Sequence, residues 1–142
     1  MTCPSSFQGL PLSGGTLTGP LVVTGHISAA GTAPGMAAGA NAGTTPPAPV
    51  VGTGSSDGAG NATFGTGTTP AAGAMVAVTF ATAYTNTPGI SLDPSNAATE
   101  PLGLYISAAS GSGFTVSAAT APSASQANTT YAFSYVTEGA TH

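Results

Sequence analysis

The stretch TYAFSYVT, Thr130–Thr137, decides how this chain folds. Tyr131, Phe133 and Tyr135 fall on one parity and Ala132, Ser134 and Val136 on the other, the period of two that sends alternate side chains to opposite faces of a β-strand. Three aromatic rings on one side of so short a segment need a core to cover them. Toward the N-terminus the same alternation recurs: Phe114 and Val116 in SGFTVSA, Leu102, Leu104 and Ile106 in PLGLYIS, and Ile90 and Leu92 in PGISLD. Val76, Val78 and Phe80 alternate in AMVAVTFA, and Phe64 lies in NATFGT. Gly111–Gly113, TNTPG and SASQAN supply turns between them. Six short strands with no helical period predict an all-β fold, a small antiparallel β-sandwich over residues 60–142.

The preceding segment has a different texture. Residues 29–59 are almost entirely Gly, Ala, Pro, Thr and Ser, with Gly31, Gly35, Gly39 and Gly43 four residues apart. That spacing is not the Gly-X-Y repeat of collagen, and Pro34 together with the glycines disfavours a helix. The segment reads as a linker, or as extended chain packed on chain, continued by the polyproline-like TTPPAPVVGTG. Residues 1–28 read as an extended arm carrying one short strand. Leu17, Leu21, Val23 and Ile27 share one parity against Thr16, Thr18, Thr24, His26 and Ser28, and Phe7 and Leu10 are the apolar handles of the anchor-like stretch Met1–Pro11.

Composition narrows the partners. There is no Lys or Arg among the 142 residues, against four Asp and Glu, for a formal net charge of −4. Such a chain cannot neutralise phosphates, so nucleic acid and anionic membrane are not expected partners. The apolar runs are far shorter than the roughly 18 residues of a membrane span, and no basic stretch precedes them as in a secretory signal. Cys3 stands alone, which leaves no intrachain disulfide to brace a core too small to be secure by itself. Self-association is the expected remedy.

No constellation argues for catalysis. Gly54-Ser55-Ser56-Asp57-Gly58 satisfies G-x-S-x-G, with His26 or His142 and Asp93 as paper partners. The elbow needs a helix after the serine, and GAGNATFG cannot start one. Asp57 and Asp93, each beside a Gly or Pro, read as turn formers rather than calcium ligands, and nothing pairs Glu100 with Glu138. His26 lies on the polar parity of its strand and reads as solvent-facing. No catalytic, cofactor or metal residue is assigned, and the chain is not expected to be an enzyme. Tyr105, opposite in parity to Leu104 and Ile106, is the candidate surface aromatic for a subunit interface or a glycan.

The segment LPLSGGTLTGPLVVTG, Leu10–Gly25, resembles LSGGTMTGPL-type stretches of bacteriophage tail fibres and related virion fibres. Residues 78–136 resemble a β-sandwich of phage fibre tips that is similar to H-type lectin domains. The resemblance rests on Val-x-Phe at Val78, Pro-x-Ile-x-Leu at Pro88, Gly-Phe-Thr-Val at Gly113 and Tyr-x-Phe-x-Tyr at Tyr131. It implies a homotrimer on the virion surface, attached through the N-terminal segment, with the sandwich projecting outward; the apolar residues Phe7, Leu10, Leu17, Leu21, Val23 and Ile27 of that segment are then the expected attachment and trimerisation residues. The resulting expectation is a structural phage protein, a capsid decoration or head-fibre protein whose partner is the major capsid protein or another virion protein. The alternative is a short tail fibre or tail-tip adhesin recognising host surface glycans.

Overall fold

The computed structural model describes residues 24–25, 28–123 and 129–139. Cys3, the attachment residues Phe7, Leu10, Leu17, Leu21, Val23 and Ile27, and both histidines lie outside the described residues. Among the described residues eight antiparallel strands form two sheets: β1 (Gly35–Ala38), β2 (Val50–Val51), β3 (Ala59–Phe64), β4 (Gly73–Thr79), β5 (Gly89–Pro94), β6 (Leu104–Ser110), β7 (Gly113–Ala118) and β8 (Tyr131–Glu138). Sheet 1 runs β1-β4-β7-β6 and sheet 2 runs β2-β3-β8-β5. Among the described residues there is no α-helix, only a 3-10 turn at Glu100–Leu102.

The parity read from sequence becomes the core. Val76, Val78, Phe114, Val116 and Ala118 of sheet 1 face Ala62, Phe64, Tyr131, Phe133 and Tyr135 of sheet 2, all buried. Tyr131 and Phe133 are 0% exposed, and Phe64 stacks on Tyr131 at 5.2 Å between ring centroids. The sheets meet through Phe114 and Tyr135, whose rings lie 5.7 Å apart. Aromatic pairs at such distances add to the burial of their area.

Three features depart from the alternation. Leu102 lies in the 3-10 turn, because Gly103 at φ +57° closes that turn in the left-handed region before β6 begins. Met75, off the expected parity, is 0% exposed beside Val76, where the β4–β7 register shifts between Ala74 and Val76. A bulge of this kind lets two consecutive side chains turn inward. Finally, β1 and β2 both fall within residues 29–59, so the segment read as a linker supplies one edge strand to each sheet. Its small side chains carry no readable parity, and its pairing is made by backbone groups.

One loop of that region interlocks with the loop between β3 and β4. Gly43-Thr44-Thr45-Pro46 and Gly67-Thr68-Thr69-Pro70 are the same tetrapeptide, and they meet in a bridge with Thr44 N–H on the Thr68 carbonyl at 2.8 Å and Thr68 N–H on the Thr44 carbonyl at 3.1 Å. Each bridge residue is followed by a threonine at positive φ, +55° at Thr45 and +54° at Thr69. A Cβ on Gly67 would collide with the Thr44 carbonyl oxygen, so only glycine lets the loops cross this closely.

The registers give the sandwich two distinct ends. At the near end lie the residues leading into β1, the β2–β3 and β4–β5 loops, the β6–β7 hairpin and Gly139 at the close of β8. At the far end lie the interlocked loops, the 3-10 turn, the end of β7 and the start of β8. The described chain therefore both begins and ends at the near end.

Candidate functional site

Residues 54–58 fold into a buried polar plug at the near end. Ser55, Ser56 and Asp57 are 6%, 2% and 7% exposed, in the loop between β2 and β3. Ser56 Oγ donates to the Ala29 carbonyl at 3.3 Å, and Ser55 Oγ donates to the Asn61 carbonyl at 3.3 Å. A serine so covered and committed is not an exposed nucleophile. Asp93, its paper partner, lies on the outer face of sheet 2, paired with Ser134 toward the far end. The pentapeptide is a structural loop.

Asp57 does work that its reading as a turn former missed. Its Oδ1 accepts the Ala81 N–H and its Oδ2 the Thr82 N–H, both at 2.8 Å, so one carboxylate holds the chain where it leaves sheet 1 for sheet 2. In a chain without Lys or Arg, a buried carboxylate has only N–H and O–H groups to turn to. Around it, Tyr135 Oη donates to the Ser56 carbonyl at 2.7 Å. Thr137 Oγ1 lies 3.0 Å from the Asp57 carbonyl and 2.9 Å from Tyr84 Oη. With its one proton given to the carbonyl, Thr137 accepts from the Tyr84 hydroxyl. Burial, then the charge of Asp57 and the neighbouring Tyr84, push the Tyr135 phenol up to about 12. Burial also raises Tyr131.

The other region that stands out is the outer face of sheet 1. Leu104 and Ile106 pack on the core, so Tyr105 points away from it, 47% exposed, across from Ser117. Ser117 is itself 1% exposed and donates from Oγ to Ser107 Oγ at 2.7 Å. Along the same face lies a depression of about 250 Å³ lined by Ala77, Thr79, Ala108, Ser110, Gly113 and Thr115. Its floor is low because no outward residue of β4 or β7 is larger than threonine.

Among the described residues no group of three His, Cys, Asp or Glu is placed to hold a metal ion, and no helix is long and apolar enough to cross a membrane. No family model matches the chain, and neither does any curated protein or solved structure.

Proposed function

We propose that this chain is a structural protein of a bacteriophage virion, a homotrimeric capsid decoration or head-fibre protein. Residues 1–28 attach it to the major capsid protein or another virion protein, and the sandwich projects from the particle surface. The observation that carries this reading is the polarity of the sandwich. The residues that follow the arm enter at the near end, where β8 also finishes, so a domain held there presents its far end and both sheet faces outward. The Asp57 plug supports it further, because Ser56 ties Ala29, just after the arm, into the body of the domain.

The test is to follow the protein in purified particles by mass spectrometry and by gold-labelled antibody. The reading expects label on heads, and it expects deletion of residues 1–28 to leave particles bare while the sandwich keeps its β-rich circular dichroism. Label confined to tails overturns the capsid placement; absence from particles overturns the virion reading altogether.

A further inference from the structure

We infer that the near end carries a pocket for a lysine side chain of the virion protein that holds the arm, with the lysine ammonium pairing with the Asp57 carboxylate. This rests on the attachment reading for the existence of that protein, and it names the contact by which the sandwich itself takes part in docking.

The carboxylate has accepting capacity left over. Asp57 is 7% exposed and lines a pocket of about 170 Å³ together with Ala30, Gly31, Thr32, Gly58 and Thr82. An ionised carboxylate offers about four acceptor positions, and among the described residues the N–H groups of Ala81 and Thr82 are the donors that reach them, one on each oxygen. The negative charge is thus held by neutral donors, and the chain has no Lys or Arg to balance it. A charge taken out of water is offset most fully by an opposite charge that also satisfies its hydrogen bonds, and here that charge comes from another molecule.

The lining names the cation. Thr32 and Thr82 contribute two hydroxyls that make no other hydrogen bond among the described residues. One carboxylate and two hydroxyls match the three N–H donors of an ammonium. A guanidinium wants both carboxylate oxygens free for its fork, and each of those already takes an N–H. A calcium ion takes about six to eight oxygens, more than the Asp57, Thr32 and Thr82 side chains supply. A cavity of about 150 Å³ holds a benzene-sized ring, so about 170 Å³ takes an ammonium with the end of its stem. Position agrees with chemistry: Ala30, Gly31 and Thr32 stand just after the arm, so a protein that grips residues 1–28 lies against this end of the sandwich.

The experiment is rebinding of the purified full chain to particles assembled without it, read by co-sedimentation and quantitative mass spectrometry. Where purified chain does not rebind, copies incorporated during assembly are counted instead. Thr32→Lys and Thr82→Lys each fill the pocket with an ammonium of the chain's own, and Ser91→Lys, on the outer face of sheet 2, makes the same charge change elsewhere. Acetylating the particles beforehand neutralises the partner's lysines, and the chain itself has none to lose. The expected result is binding weakened about tenfold or more by either pocket substitution and by acetylation, and unchanged by Ser91→Lys or by a chelator. Circular dichroism melting confirms the fold of each variant; either pocket variant suffices if the other does not fold, and acetylation needs no variant. Binding that withstands acetylation, or that withstands a folded pocket variant, overturns the proposal. So does an equal loss with Ser91→Lys, and loss to the chelator assigns the pocket to a metal ion instead. In each of those cases the virion reading stands, whereas a wild-type chain absent from native particles overturns that reading and the lysine pocket with it.

Discussion

Removing the Asp57 carboxylate is the sharpest probe of what holds the two sheets in register at the near end. Each of its oxygens accepts one backbone N–H at 2.8 Å, from Ala81 and Thr82. Hydrogen bonds to a charged group contribute about 1.5–3 kcal/mol each. Two such bonds would place Asp57→Ala near 3–6 kcal/mol, but Ala81 and Thr82 are exposed residues, so water can reach part of what the carboxylate leaves behind. The expected loss is therefore about 2–4 kcal/mol, a large share of the roughly 5–15 kcal/mol that stabilises an ordinary domain. Asp57→Asn keeps one acceptor and turns an NH2 toward the other N–H, so it costs about half as much. Urea unfolding followed by circular dichroism measures both variants. A second readout is independent of stability: the charge of Asp57 helps raise the Tyr135 phenol, so titration of tyrosine absorbance finds that phenol lower in folded Asp57→Asn. An Asp57→Ala protein within about 0.5 kcal/mol of wild type refutes the clamp, and an unshifted phenol refutes its closeness to Tyr135.

Tyr135 makes the fold sensitive to alkali. Its phenol titrates near 10 when unfolded and at about 12 when folded, so its contribution is fully present below pH 10 and is lost as pH rises to about 12. Stability falls by about 1.4 kcal/mol per pH unit across that window, and Tyr135→Phe flattens the slope in a urea series run at successive pH values; an unchanged slope refutes the assignment. Thr45→Asn and Thr69→Asn each relieve a β-branched residue at positive φ, and raise the unfolding free energy by about 0.5–1 kcal/mol. Lower melting temperatures for both variants show that the threonine side chains contribute more than their backbone strain costs.

How much of the fold is legible in the sequence depends on what each residue reveals by its type. Tyr131, Phe133 and Tyr135 announce a strand and a core because large apolar side chains at a period of two suit a half-buried strand and little else. Gly35–Ala38 and Val50–Val51 do not, since strands of Gly, Ala and isolated Val are held by backbone ladders whose partners leave no mark on composition. Met75 is hidden by the bulge beside it, which breaks the parity that identifies Val76. The Asp57 clamp is hidden by distance: its partners lie 24 and 25 residues on and are plain N–H groups. One signal points to it. A lone Asp between Ser and Gly, in a chain without Lys or Arg, has to be satisfied by the backbone if it is buried.

The direction of β1 bears on how the molecule resists being pulled. Its first residue, Gly35, pairs with Thr79 at the near end, and it runs toward the far end to Ala38 against Val76. Tension arriving through the residues before Gly35 therefore draws β1 lengthwise past β4, and because ladder hydrogen bonds stand perpendicular to the strands, all of them strain together instead of parting one at a time. The Ser56 hydrogen bond to Ala29 meets that tension before the strand does. The domain is strung for shear, the geometry in which a short ladder withstands the greatest force.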